Sequence, residues 1–389
     1  MPSNARPVVL KQHNTDYSRR RKNTVSMTGR QTVTSDPAAD NALQSHLLEG
    51  VSRTFALTIP QLPPRLYAAV ANAYLLCRIV DTIEDEATLD SAQKRAFCRE
   101  FIDVVRGRAD SAAFSARLAP LLSERTLPAE HELIREVPRV IAITHGLADP
   151  QVQALADCVA IMGKGMAEFQ DQDLSGGLKD MAEMDRYCYF VAGCVGEMLT
   201  RLFCHYLPEL APRREEMLRL AVSFGQGLQM TNILKDIWDD ASRGVCWLPQ
   251  AAFDASFELR GLPTGHDRAE FREGLLELVG IAHGHLRNAL EYTLMIPAHE
   301  TGIREFCLWA LGMAVLTLRK IAAHPDFSAS AQVKISRRSV KATILASRLA
   351  RRHDFLLKLL FNLASLGLPH TRQPVEPPTI ASPDRTPAA

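Results

Sequence analysis

The sequence predicts an all-α protein folded as one large helical bundle, and three observations carry that expectation. Apolar residues recur at intervals of three and four through almost the whole middle of the chain, while alternating β-branched runs bounded by turn pairs are missing. Prolines such as Pro63, Pro64, Pro128, Pro208, Pro212 and Pro297 fall where these periodic stretches start or stop. No internal repeat or long linker interrupts the pattern. A length of 389 residues, which on size alone suggests two or three domains, therefore reads as one.

Taken in order, residues 1–40 are polar and basic with few large apolar side chains. They bury too little to offset their ordering entropy and are expected to be a disordered tail. A helix is predicted over 44–57. The next stretch, 66–88, reads LYAAVANAYLLCRIVDTIEDEAT and is apolar nearly all round, so it belongs at the centre of the bundle. Further helices are predicted over 92–106, 130–146, 150–170, 182–207, 212–241, 270–296, 301–322 and 339–366. Residues 369–389 are rich in proline and read as a flexible tail, which leaves 41–368 as the folded domain.

Composition narrows the function. With 45 basic against 44 acidic side chains the net charge is +1, and nothing draws the chain toward nucleic acid. Eight cysteines include no CxxC pair and no zinc-type spacing, which fits reduced thiols in the cytoplasm. The first forty residues lack the apolar core of a secretion signal, and no stretch reads as the ~20 apolar residues of a membrane span. The run from Asp354 to Leu368, interrupted by Lys358 and Asn362, is too short to span. Behind Arg348, Arg351 and Arg352 it reads either as a last core helix with a basic edge or as an amphipathic helix in a membrane interface, giving peripheral contact.

The carboxylates are the chemical signal. A buried helix carries acids only at a cost, yet 66–88 ends with Asp81, Glu84 and Asp85 on one face, spaced i, i+3 and i+4. A solvated helix end is the plain reading of one such group. A second group, Asp236 and Asp240, closes the largely apolar run GQGLQMTNILKDIWDD. Two such ends facing each other suit Mg²⁺ ions that chelate a diphosphate leaving group. Arg78 and Lys235 lie within a turn of the acids, where they either pair with them or reach diphosphate oxygens. In MDRYCYFVAGCVGEMLTRLF (184–203), glycines inside a helix cost about 1 kcal/mol each against alanine, so they mark either close helix packing or room for a ligand.

At these residues the chain resembles the squalene/phytoene synthase family of head-to-head prenyl transferases. The motifs are SRTF (52–55), YLLCRIVDTIEDE (74–86), GMAEF (165–169), YCYFVAGCVG (187–196) and LQMTNILKDIWDD (228–240), and the similarity runs from Ser52 to about Leu349. GMAEF, YCYFVAG, Phe306-Cys307 and VKISRR (333–338) bring it nearest the squalene synthase branch. The resemblance implies an isoprenoid-synthase bundle around a central apolar channel. It also implies a monomeric enzyme that joins two farnesyl diphosphates through presqualene diphosphate to squalene, using Mg²⁺ and NADPH. The alternative within the family is a non-reductive relative making dehydrosqualene or phytoene.

Carried over residue by residue, the resemblance makes Asp81, Glu84, Asp85, Asp236 and Asp240 metal ligands, with the four aspartates counted among the catalytic groups. Tyr187 matches the tyrosine of the first half-reaction. Ser52, Arg53, Tyr74 and Arg78 match positions around the diphosphates, and Gln229 and Asn232 the polar side of the second helix. Phe55, Val191, Val195, Leu228 and Phe306 match channel walls. Asn232, Lys334, Arg337 and Arg338 are the implied NADPH contacts. Three positions depart from the family: Asp239 replaces a common Glu, Lys235 a common Arg, and Val245 an Arg frequent in phytoene synthases.

Overall fold

Helix formation starts at Asp36, whose carboxylate accepts the amide of Ala38, and Pro37 is preset for a first turn. The first helix, α1, therefore spans Pro37–Val51 and begins inside the stretch read as a tail. The computed structural model describes residues 36–52, 54–262, 269–371 and 375. The disorder expected for 1–35 and the flexibility expected for 376–389 lie outside the described residues. Within them there is no strand, only an isolated bridge between Leu178 and Pro249.

The longer helices after α1 are α2 (Phe55–Thr58), α3 (Pro64–Asp85), α4 (Ser91–Val105), α5 (Ser111–Leu118), α6 (Pro128–Arg135), α7 (Val137–His145) and α8 (Asp149–Met166). They are followed by α9 (Met181–Cys188), α10 (Cys194–Tyr206), α11 (Arg214–Ala241), α12 (Ala269–Met295), α13 (Thr301–Ala323), α14 (Ser330–Val333), α15 (Arg337–Ala350) and α16 (Asp354–Ala364). Caps set several of the starts. Asp90 and Gln93 close a reciprocal box on α4, and Asp110 accepts the Ala113 amide to start α5, a helix not expected from periodicity.

Three predicted helices are interrupted. The 44–57 stretch breaks after Val51, where the chain turns extended at Ser52. The 130–146 stretch breaks at Glu136 because Pro138 cannot donate back to Ile134, whose carbonyl instead accepts the Ser115 hydroxyl at 2.7 Å. The 339–366 stretch breaks at Arg351–His353.

α3 is buried nearly all round, as its sequence predicts, and packs against α1, α4, α8 and α10. α11 packs against α10, α12 and α13, so these two long helices form the middle of the bundle. Among the described residues α3 and α13 have the length and hydropathy of a membrane span, contrary to the expectation that no stretch does. Within α3, 72% of the span-length window is inside the fold. Asn72 on α3 is fully buried and satisfied by Gln44, the Val140 carbonyl and Thr144, which ties α3 to α1 and α7.

Gly196 of the 184–203 segment and Gly225 of α11 meet backbone, while Gly193 packs on the Tyr189 and Val222 side chains. A Cβ on Gly196 would stand 2.2 Å from the Ala221 carbonyl, and one on Gly225 2.3 Å from that of Ala192. These residues let α10 and α11 touch, so the close-packing reading of the glycines is the one the geometry supports. At the other end, the first residues of the predicted flexible tail lie along α12, where Asn288 donates to the Val375 carbonyl at 3.1 Å.

Candidate active site

One stripe of α3 escapes full burial: Tyr74, Arg78, Asp81 and Asp85, at helical spacing on the same side. The acids there carry raised pKa values. Burial, with Asp85 alongside, pushes Asp81 up to about 7 despite Arg78, and burial together with Asp85 does the same to Glu84. Asp85 is raised as well, chiefly by burial. The next acid is different. Burial pushes Glu86 up, but hydrogen bonds from Thr126, Thr88 and Ser123 outweigh it and hold the group at about 2. Glu86 is thus a loop anchor, while Asp81, Glu84 and Asp85 form a cluster that Arg78, Lys94 and Arg243 compensate only in part.

The second acidic group meets the first through a cation. Arg243, just past α11, pairs with the buried Asp240 at 2.5 Å. Its charge also lowers the pKa of Glu84 and Asp85 across the gap. Asp236 pairs with Lys235 at 3.1 Å. Arg78 pairs closely with Glu130 and stands 3.9 Å from Asp81, so its structural role is plain while part of it still faces the acids. Among the described residues no three carboxylate, imidazole or thiol groups converge tightly enough to cage an ion. The donors are nevertheless all oxygens, crowded and partly desolvated. They fit a hard cation such as Mg²⁺, which keeps waters and takes phosphate oxygens as its remaining ligands.

Beside these acids lies an aromatic box. Tyr187 stacks on Trp247 at 3.8 Å with 11° between the rings, and Phe169 meets Tyr187 edge-on at 5.3 Å. Burial, then the charges of Glu84, Asp85 and Asp81, raise the Tyr187 pKa well above that of a free phenol, so its hydroxyl keeps its proton next to the first acidic group. Residues Tyr189–Gly193 form a π-turn between α9 and α10. The Tyr189 hydroxyl donates to Glu197 at 3.0 Å. Close by, Asp185 Oδ1 and Gln226 Oε1 are buried without a hydrogen-bond partner in the protein.

Against this geometry stands a match to the squalene/phytoene synthase model over residues 48–339. The chain belongs to the squalene/phytoene synthase family. It is 32% identical over 287 residues to a probable squalene synthase of Neurospora crassa, covering 72% of this chain and 56% of that protein. It is 31% identical over 311 residues to a squalene synthase of Candida albicans, covering 78% and 66%. The chain thus spans between about half and two thirds of the curated relatives it matches. Among solved structures it superposes on TcSQS in complex with the ligand BPH1237, with a TM-score of 0.68 and 23% identity, covering 86% of this chain and 94% of that one. A dehydrosqualene synthase in complex with a ligand gives a TM-score of 0.58 at 18% identity, covering 80% and 97%. These likenesses show the fold.

The other family positions fall into three groups. Ser52 accepts the Phe55 amide at 2.9 Å, Tyr74 donates to the Val51 carbonyl at 3.3 Å, and the Phe55 and Tyr74 rings are 5.1 Å apart, so these three converge beside Arg78. Arg53 lies outside the described residues. Val191, Val195, Leu228 and Gln229 are half-buried on α10, its π-turn and α11, Asn232 is exposed, and Phe306 is a core residue set edge-on to Phe203 at 6.2 Å. Lys334, Arg337 and Arg338 are exposed at the N-terminal end of α15, where basic side chains and free amides fit a phosphate-bearing cofactor. Ser330 on α14 bonds Asp239, which brings this segment to the second acidic group. Sequence reasoning missed Arg243, Trp247, Glu197 and Ser330 as contributors, since each lies outside the motifs and acts through a residue within them.

Proposed function

We propose that this family member condenses two molecules of farnesyl diphosphate head to head, through presqualene diphosphate, to squalene. The observation that carries the reading is the pairing of two acidic helix ends across Arg243, with carboxylates pushed up by burial and mutual repulsion beside the buried hydroxyl of Tyr187. Asp81, Glu84, Asp85, Asp236 and Asp240 would hold Mg²⁺, which when bound offsets the charge of the departing diphosphate. Lys334, Arg337, Arg338 and Asn232 would hold NADPH, which supplies the hydride for the second half-reaction.

The chain's own residues do the rest. Arg78 and Ser52 orient the diphosphates, and Tyr187, held flat by Trp247, exchanges the proton lost as the cyclopropane closes. Phe55, Val191, Val195, Leu228 and Phe306 keep water from carbocations that would otherwise become alcohols. The aromatic rings also face those cations with their negative π-surfaces. The working form is a monomer in the cytoplasm that meets a membrane peripherally. Eight free cysteines, seven of them buried, are in keeping with that compartment.

Purified protein incubated with farnesyl diphosphate and Mg²⁺, with and without NADPH, and read by gas chromatography–mass spectrometry tests the reading. Squalene formed only with NADPH is the expected result. Dehydrosqualene formed regardless of NADPH would move the protein to the non-reductive branch, and no prenyl product at all would end the proposal.

A further inference from the structure

One apolar face of the bundle has no partner. α16 buries Leu357 and Phe361 against α12 and α13. On its other side Leu356, Leu359, Leu363 and Leu366, spaced three, four and three apart, form a second apolar row that is exposed. Phe355 opens the row with 76% of its surface exposed, and Leu349, 73% exposed, extends it onto α15. A helix apolar on both sides belongs inside a protein or against something apolar.

The face is also held rigid. Buried Arg304 donates to the Arg351 carbonyl at 2.9 Å and to Asp354 at 2.7 Å, and Arg351 pairs with buried Glu305. The α15–α16 corner is thereby fastened to α13. Its charge has one sign. Residues 329–371 contain eight lysines and arginines against a single acid, Asp354, which Arg304 neutralises. Arg348 and Arg351 pair with Glu305 and Lys358 with Glu291, which leaves Lys341 and Arg352 as the exposed cations flanking the row. Arg352 sits three residues from both Leu349 and Phe355, and Lys341 lies one turn before Leu345, which extends the row along α15 with 61% of its surface exposed. A second copy of the chain docking here would set positive charge against positive charge.

We infer that this face docks on an anionic lipid bilayer. Leu349, Phe355 and the leucine row enter the boundary between headgroups and acyl chains, while Lys341 and Arg352 face the lipid phosphates. The inference deepens the proposed function, on which it rests for its purpose, because a hydrocarbon product needs an acyl phase to receive it. Docking itself does not depend on turnover.

The test is flotation of the full chain with vesicles of phosphatidylcholine alone or doped with phosphatidylglycerol. Wild type is expected to float with the doped vesicles and to be released by salt. The triple variant Phe355→Ser/Leu359→Ser/Leu363→Ser should lose about tenfold in partitioning, and Lys341→Gln/Arg352→Gln a comparable factor on doped vesicles only. Unaltered thermal melting of both variants, expected for exposed positions, separates lost docking from lost folding. Wild type that stays unbound overturns the inference, whether the face is covered by a second copy or by the last residues of the chain. So does flotation that both variants keep. Product formation in detergent, measured separately, reports on the condensation whichever way flotation falls.

Discussion

The Ser330 hydroxyl donates a 2.8 Å hydrogen bond to the carboxylate of Asp239, joining residues 91 positions apart. It fastens the basic segment at 334–338 to the end of the helix that carries the second acidic group. Asp239 stands where the family commonly has Glu, and here the shorter side chain has a structural partner of its own.

The bond separates the two half-reactions experimentally. Lys334→Gln and Arg337→Gln should each raise the KM for NADPH about tenfold, the scale of one lost charge-assisted contact. Ser330→Ala should raise it less. Presqualene diphosphate formed without NADPH should proceed at the wild-type rate in all three. A fall in that first step would show that the segment serves the diphosphates instead.

For the metal, Asp81→Asn and Asp236→Asn should each lower kcat/KM by about a thousandfold, and chelation of Mg²⁺ should abolish turnover reversibly. A binding measurement removes the ambiguity of lost activity. Mg²⁺ with inorganic diphosphate should raise the melting temperature of wild type and leave that of Asp81→Asn unmoved. Equal shifts in both would take Asp81 out of the site.

Tyr187→Phe keeps the ring on Trp247 and deletes only the hydroxyl, so the fold should hold while presqualene diphosphate formation drops by about a hundredfold or more. Trp247→Leu removes the stacking surface and leaves the hydroxyl. It should lower the same step more mildly, with rescue by Trp247→Phe. Wild-type turnover in Tyr187→Phe would refute the proton-transfer role.

The legible part of this molecule was the part with short-range signatures. Asp81 and Asp85, with Asp236 and Asp240, announce themselves because i, i+4 acids close an apolar run twice, where a solvated helix end would account for one such group. The same rule left Glu86 off that face but could not say what pins it, since its partners Ser123 and Thr126 come from across a loop. Periodicity also ran through Glu136, because Pro138 reads as tolerable in a first turn until the Ile134 carbonyl it frees is seen bonded to Ser115. The outer leucines of α16 looked compatible with a core helix. Only packing shows that the core stops at Leu357 and Phe361.

His285 gives the bundle an acid limit. It is buried on α12, its Nδ1 2.8 Å from the Ser223 hydroxyl, and burial pushes its pKa down to about 4. The folded value lies below the unfolded one of about 6.5, so this contribution is whole above pH 6.5. It is lost as pH falls from 6.5 toward 4, by up to about 3 kcal/mol. Chemical denaturation at stepped pH should show that slope, and His285→Asn should flatten it. An unchanged slope in the variant would assign the acid sensitivity elsewhere.

The π-turn at Tyr189–Gly193 amounts to one residue more than an α-helix needs between the aromatic box and the glycine seam. Each added residue advances the winding by about 100°, so the turn sets the phase of Tyr187 against Trp247 independently of the phase of Gly196 against Ala221. Deleting a single residue such as Phe190 would wind the segment back to regular helix and leave only one of the two in place. The stretch should therefore accept substitutions far more readily than any change in its length.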